Sequence, residues 1–179
     1  MNAALSASSG GRACVYFPAG RWALNSAQSY TFASTLASIT IEGAGQDVSE
    51  LYFPNATSGL TFNYNGAFDS VHLKNLSLTS GAGANSTIGI SLNQMQTSNS
   101  NPGNTALSDI SNVTLRGADG YLVGAHWGTG VQVSGVSNVN FYGDYIIGPA
   151  GNGVVLQGTS SNIPVVFNFT NTFFNNLTT

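Results

Sequence analysis

Charge is scarce in this 179-residue chain: four Lys and Arg residues and seven Asp and Glu residues make up 6% of it. Four cations are too few to form a basic surface for a nucleic acid or an anionic membrane, so neither partner is expected. No apolar run approaches the roughly 18 to 20 residues that a membrane-spanning helix needs. The single cysteine, Cys14, cannot form an internal disulfide, and its apolar neighbours in "ACVYF" predict a buried side chain.

Glycine and aromatic residues, in contrast, are plentiful, with 22 Gly and 11% Phe, Trp and Tyr, alongside many Asn, Ser and Thr. Aromatic and β-branched side chains fit the pleated surface of a sheet, while Gly and Asn tolerate the turns between strands. The composition therefore predicts an all-β protein, and the length predicts one domain.

A short pattern recurs along the chain: an apolar residue, any residue, Asn, and then apolar, any, apolar. Its copies are "LKNLSL" (73–78), "ISNVTL" (110–115), "VSNVNF" (136–141) and the weaker "FTNTFF" (169–174), and "LASITI" (36–41) has Ser38 at the Asn position. Equivalent Asn side chains on adjacent strands would lie about 4.8 Å apart and hydrogen-bond in a ladder. Asn also tolerates the left-handed backbone of a sharp corner. The predicted structural ladder consists of Asn75, Asn112, Asn138 and Asn171.

A second family of strands alternates with the first, each with Gly followed by apolar, any, apolar: "GLTF" (59–62), "GISL" (89–92), "GVQV" (130–133) and "GVVL" (153–156). From Ser38, the Asn positions follow at steps of 37, 37, 26 and 33 residues. A β-sandwich would instead have turns every 8 to 12 residues or so. Two short strands in each long repeat predict a parallel β-helix, a solenoid of stacked coils.

The N-terminal part carries a family resemblance. In "GGRACVYFPAGRWALNSA" a strand runs into the turn Pro18-Ala19-Gly20, with Trp22 and Leu24 after it, and "TLASITIEGAGQDVSELYF" leads into a Gly-x-Gly corner at 43–45. This opening resembles that of the pectate-lyase-like right-handed parallel β-helix superfamily, most of all its phage tailspike and tail-fibre proteins and bacterial polysaccharide-degrading members. Trp22 stands where Tyr is commoner. The resemblance implies a right-handed, single-stranded parallel β-helix, a polysaccharide partner, an extracellular or virion-associated location and a homotrimer.

The resemblance also predicts how the chain is organised. Residues 1–179 would be one β-helix domain, with 1–9 the remnant of an N-terminal capping helix, 10–53 the opening motif and 54–179 irregular coils. The chain ends at "FFNNLTT", in or just after a predicted strand, and solenoid ends require caps. We therefore expect a fragment that lacks one or both caps.

Two carboxylates are the candidates for catalysis. Asp144 in "FYGDYIIG" lies directly between a Gly and a Tyr, and Asp119 in "LRGADGYLVG" lies between Gly117 and Tyr121 with one residue on each side. Stacked coils would place them about 4.8 Å apart, close to the separation of about 5 to 5.5 Å in retaining glycosidases, and repulsion would raise one pKa. The alternative is that each Asp caps a turn by accepting a backbone N–H. Asp109 is a further carboxylate that could face either one, or be a turn residue.

Substrate contacts are expected around this pair. Aromatic faces suit sugar rings, an Arg could bind an acidic sugar, and the Gly-rich "GAHWGTG" is a plausible contact loop. The predicted substrate-binding residues are Trp127, Tyr121, Tyr142, Tyr145, Arg116 and His126. The other histidine, His72, is expected to be exposed or satisfied by its neighbours.

Three functions remain open from the sequence. The first is a protein that binds and possibly hydrolyses a cell-surface or extracellular polysaccharide, and the second is a non-catalytic adhesion or structural β-helix. The third is a polysaccharide lyase, which would need Ca²⁺ held by several carboxylates, and seven scattered acids make such a site hard to assemble. No cofactor is expected for the first two functions, and Ca²⁺ only for the lyase.

Overall fold

The computed structural model describes residues 11–32, 38–66, 68–95, 106–118, 120, 124–159 and 166–175. Within these residues the chain forms fifteen β-strands and no helix. The strands are β1 (Arg12–Phe17), β2 (Gly20–Ala23), β3 (Gln28–Thr31), β4 (Ser38–Gly43), β5 (Ser49–Phe53), β6 (Leu60–Tyr64), β7 (Ser70–Ser80), β8 (Gly83–Gln94), β9 (Ser108–Gly117), β10 (His126–Ser134), β11 (Val139–Tyr142), β12 (Tyr145–Ile147), β13 (Asn152–Gln157), β14 (Phe167–Thr170) and β15 (Phe173–Asn175). The predicted helix remnant at 1–9 lies outside the described residues.

Parallel pairing joins the strands into two sheets. The ten-stranded sheet has the order β1-β4-β7-β9-β11-β14, with β2, β5, β12 and β15 paired alongside, and the five-stranded sheet has the order β13-β10-β8-β6-β3. The chain visits the two sheets in turn, so neighbouring strands are distant in sequence, as when β7 pairs with β9 through His72 and Asp109. The all-β class and the parallel strands predicted from the sequence are confirmed.

Alternation along the strands produces the core. In β4, β5 and β6 buried side chains alternate with half-buried ones, because successive side chains of a strand point to opposite faces. Ile41, Leu73, Ile110 and Phe141 of the ten-stranded sheet and Leu60, Ile90 and Val131 of the five-stranded sheet belong to one buried cluster. Burial of each large apolar side chain contributes about 1.5 to 3 kcal/mol, so matched apolar rows hold the two sheets together.

The cysteine does not follow the prediction that it is buried. Cys14 is exposed, because it alternates in β1 with Ala13, which belongs to the core, and Val15, which packs against it. The apolar residues of "ACVYF" thus occupy both faces of the strand, and Cys14 falls on the outward one.

Candidate functional site

Corresponding corners of the ten-stranded sheet are formed by residues with a left-handed backbone. Asn75 lies within β7, Asn112 within β9, Gly143 between β11 and β12, and Asn171 between β14 and β15, and their φ values are 55°, 53°, 66° and 51°. The pairing register aligns these four positions. Asn112 Nδ2 donates a hydrogen bond to Asn75 Oδ1 at 3.1 Å. We call these four residues the corner column.

Asn138 stands at a different place from the predicted ladder. It comes just before β11, whose first residue Val139 pairs with Ser108 and Phe167. Its φ of 56° is left-handed as well, and Gly143 fills the position in the corner column that the sequence pattern assigns to Asn138. The prediction fails because a left-handed Asn followed by apolar, any, apolar has the same sequence pattern in the corner column as at the corner before β11.

Asp144 follows the corner column directly, and its side chain faces the core. Tyr145 pairs with Thr114, so Asp144 lies beside Val113, and it is 0% exposed. Its Oδ1 accepts a hydrogen bond from the Val113 N–H at 2.9 Å, while Oδ2 has no hydrogen-bond partner among the described residues. Burial raises the pKa of Asp144 to about 7, although backbone hydrogen bonds from Val113 and Tyr142 lower it.

This placement limits the chemistry open to Asp144. A pKa near 7 suits a general acid, but the burial that raises it also separates the carboxyl group from a ligand at the surface. Asp119 and Tyr121 lie outside the described residues, so the matched pair of carboxylates stays a prediction.

A groove of about 310 Å³ opens beside Tyr145 and is lined by Gln46, Asp47, Thr114, Arg116, Tyr145 and Ile147. The segment between β4 and β5 forms one wall. Asp47 accepts hydrogen bonds from Thr114 Oγ1 at 3.3 Å and Arg116 Nη2 at 3.5 Å, and Gln46 Nε2 donates to the Gly143 carbonyl at 3.3 Å. We call this the Asp47 groove.

Two tyrosines lie at this groove or next to it. Tyr145 is 46% exposed and Tyr142 is 51% exposed, and they stand on either side of Gly143. Exposed aromatic rings stack on the flat faces of sugars, and paired charges hydrogen-bond to sugar hydroxyls. Arg116, Tyr142 and Tyr145, three of the predicted substrate-binding residues, are therefore brought to one region.

Trp127 and His126 lie elsewhere, on β10 of the five-stranded sheet. "GAHWGTG" is mostly strand, not the predicted contact loop. Trp127 is 1% exposed, and its ring packs edge-on against Phe53 with 5.7 Å between ring centroids. His126 Nε2 lies 3.2 Å from Asn85 Oδ1. Because the indole is enclosed by the core, its faces are not open to a sugar ring, and the prediction of Trp127 as a substrate-binding residue is corrected.

A larger cleft of about 630 Å³ lies on the outward side of β1, β4 and β7. It is lined by Arg12, Ala13, Cys14, Ser38, Thr40, Phe68, Ser70, His72, Lys74 and Ala106. Asp109 on β9 contacts His72 Nδ1, and the other oxygen of Asp109 lies 3.5 Å from Lys74 Nζ. His72 is thus satisfied by Asp109, the carboxylate predicted to face Asp119 or Asp144 or to be a turn residue, which lies within β9. We call this opening the His72 cleft.

A signal in the sequence could have revealed that pair. Asn75 and Asn112 are 37 residues apart, as are His72 and Asp109. Any outward residue of β7 therefore has its neighbour on β9 at the same step, which also pairs Thr79 with Arg116. Asp47 carries no such signal, because it lies in the segment between two strands.

No family model, curated protein or solved structure matches this chain. Among the residues that the structure describes, no group of three or more His, Cys, Asp or Glu side chains could hold a metal ion. The same part of the chain contains no helix long and apolar enough to cross a membrane.

Proposed function

We propose that this chain forms a right-handed parallel β-helix that binds a cell-surface or extracellular polysaccharide on the outward face of its ten-stranded sheet. The β-helix is supported by the alternation of the chain between two parallel sheets and by the corner column, which turns the backbone at matching points. Right-handed crossovers between parallel strands are the rule. An extracellular or virion-associated location and a homotrimer belong to the same proposal and rest on the family resemblance.

The proposal rests on the Asp47 groove. Tyr145 presents a half-exposed ring beside Thr114, Arg116 and Asp47. A sugar ring could stack on the tyrosine while its hydroxyls or carboxylate hydrogen-bond to the charged pair. Tyr142, exposed on the other side of the corner, would extend the contact to a second sugar, which suits a polymeric ligand.

Binding is favoured over cleavage by the position of Asp144. A hydrolase needs two carboxyl groups that reach the glycosidic bond, and Asp144 is enclosed and hydrogen-bonded to Val113 N–H. Hydrolysis remains the second candidate because the raised pKa of Asp144, about 7, is the value that a general acid needs.

The test is affinity electrophoresis in gels that contain one polysaccharide each, from a panel of neutral polymers (dextran, galactomannan) and acidic polymers (polygalacturonate, alginate). We expect the protein to be retarded by at least one polymer, and Tyr145→Ala to weaken that binding about tenfold, the effect of removing an aromatic anchor. Tyr16→Ala is the matched control, since Tyr16 is 57% exposed on β1 and outside the groove, and it should change affinity less than about twofold, as contacts outside an anchor do.

Equal losses in the two variants would place binding outside the Asp47 groove, and no retardation by any polymer would remove the proposal. Reducing-end assays on the polymer that binds distinguish the second candidate: new reducing ends without an unsaturated uronate product would indicate hydrolysis. Their absence would leave binding alone, and an unsaturated product lost with a chelator would indicate a Ca²⁺-dependent lyase.

A further inference from the structure

Three of the four cations of this chain are held by carboxylates. Arg21 pairs with Glu50 at 2.7 Å, Lys74 with Asp109 at 3.5 Å and Arg116 with Asp47 at 3.5 Å. Arg12 is the fourth, and within the described part of the chain it has no ion pair. It is exposed and lines the His72 cleft. In a chain with so little charge, an unpaired guanidinium facing a cleft is a candidate binding group.

Three hydroxyl groups, of Ser38, Thr40 and Ser70, line part of the His72 cleft. The register places Arg12 beside Ser38 and Ser38 beside Ser70, and Ser70 Oγ lies 3.1 Å from Ser38 Oγ. One row further along, Thr40 of β4 lies between Cys14 and His72. A ligand over β4 would therefore have Arg12 on one side, His72 and Lys74 on the other, and hydroxyl donors beneath it.

The orientation of His72 adds to this arrangement. Its Nδ1 contacts Asp109 on β9, which is the strand on the far side of β7 from β4. Nε2 is then the ring nitrogen left for a ligand, and when His72 is protonated it is a donor. Asp109 also balances part of the charge of Lys74, and Glu42 lies beside Lys74 in the register without lining the cleft. The lining combines the side chains of Arg12, His72 and Lys74 and three hydroxyl groups with apolar residues and the thiol of Cys14, and no carboxylate is among the described residues that line it.

We propose that the His72 cleft binds an oxyanion, namely the sulfate, phosphate or carboxylate group of a ligand, beside Arg12 and over the hydroxyls of Ser38 and Thr40, with His72 and Lys74 farther along the cleft. Arg binds such groups through two parallel N–H donors, and Lys binds them as a point charge. The cleft of about 630 Å³ is larger than one oxyanion, so the ligand would carry the anionic group on a body of about the size of a sugar ring or larger. This site shares no residue with the Asp47 groove, so it does not depend on the proposed function.

Nuclear magnetic resonance titration of the ¹⁵N-labelled chain tests this site with sodium sulfate, phosphate and acetate, each at constant ionic strength against chloride. We expect saturable shifts of Thr40, His72 and Lys74 with at least one anion. Preference for sulfate or phosphate would assign a sulfated or phosphorylated ligand, and preference for acetate would assign a uronate-like carboxylate. Shifts that do not saturate, or that are equal with chloride, would overturn the proposal.

Variants then separate the site from general charge effects. Arg12→Gln should weaken binding about tenfold or more, the effect of losing a hydrogen bond to a charged group. Arg12→Lys retains the charge and should bind within about threefold of the wild type. A threefold change corresponds to about 0.7 kcal/mol of binding free energy. Arg21→Gln removes an equal charge that Glu50 already pairs, and its affinity should stay unchanged. Equal losses of anion affinity in Arg12→Gln and Arg21→Gln would mean that only the net charge of the protein matters, and would overturn the proposed site.

Discussion

Replacement of Asp144 by Asn should abolish most of a pH dependence in the stability of this protein. The folded pKa of Asp144 is raised by burial from an ordinary 3.8 to about 7. The folded state therefore binds the proton more tightly than the unfolded state. The resulting stability is fully present below about pH 4 and is lost as the pH rises to about 7, above which both states are ionised.

The size of the effect follows from the pKa values. One pKa unit corresponds to about 1.4 kcal/mol, so a rise from 3.8 to about 7 corresponds to a loss of ~4 kcal/mol between pH 4 and pH 8. Asn is neutral throughout this range, and its Oδ1 can still accept the Val113 N–H. We expect Asp144→Asn to match the wild type near pH 4 and to be more stable by up to ~4 kcal/mol at pH 8.

Urea unfolding at several pH values, followed by tryptophan fluorescence, to which the buried Trp127 contributes, measures this difference through linear extrapolation. Other acids contribute to each curve. Burial raises the pKa of Asp69. Burial also raises the pKa of Glu50, but hydrogen bonds from Arg21 and Thr79 and the charges of Arg21 and Arg116 together lower it below its ordinary value. Both acids remain in the variant, so the difference between the two proteins isolates Asp144. Parallel curves from pH 4 to pH 8 would refute the inward placement of this carboxyl group.

Two further predictions test the corner column and the outward face of β1. Gly143→Ala should destabilise the protein by about 2 kcal/mol or more, because its φ is 66° and an added Cβ would lie 2.6 Å from Asn112 Oδ1. Gly120→Ala is the control for backbone strain alone, because φ of Gly120 is 84° and no atom lies within 4 Å of an added Cβ. Equal losses of unfolding free energy in these two variants would deny the contact with Asn112. Cys14 should react with a water-soluble disulfide reagent in the folded protein at nearly the rate of an unfolded control, since its side chain is exposed; reaction only in denaturant would contradict its placement.

The strands could be predicted from the sequence, because the alternation of apolar and polar residues and the preference of Gly and Asn for turns are local properties. "LKNLSL" and "ISNVTL" lie within β7 and β9, and the Gly-led strands lie within β6, β8, β10 and β13 or overlap them. The same local rules mislead where apolar residues occupy both faces of a strand or where Gly residues occur within one. Cys14 and Trp127 show this: one apolar stretch exposes its thiol, and one Gly-rich stretch buries its indole.

The placement of Asp144 required a choice between two alignments. When "VSNVNF" is matched to "ISNVTL", Asp144 takes the place of Ala118, well past the corner and only half-buried. When "FYGDYI" is matched instead, Gly143 takes the place of Asn112, and Asp144 takes the place of Val113, which is buried. Hydrophobic pattern favours the first match, since a carboxyl group in an apolar row is costly. The pairing of Tyr145 with Thr114 supports the second.

The strand register that aligns the apolar residues of the core also determines which outward side chains of β7 and β9 are neighbours. Once Asn112 hydrogen-bonds to Asn75, each residue of β7 has its neighbour on β9 fixed, and His72 meets Asp109 without any local sequence signal. The segments between strands differ in length, so a fixed period fails beyond this pair of strands, and the neighbours of Tyr142 or Arg12 cannot be counted out from the ladder. The corner residues, which bind nothing in either proposal, therefore fix which residue of β9 each residue of β7 meets, as His72 meets Asp109 and Thr79 meets Arg116.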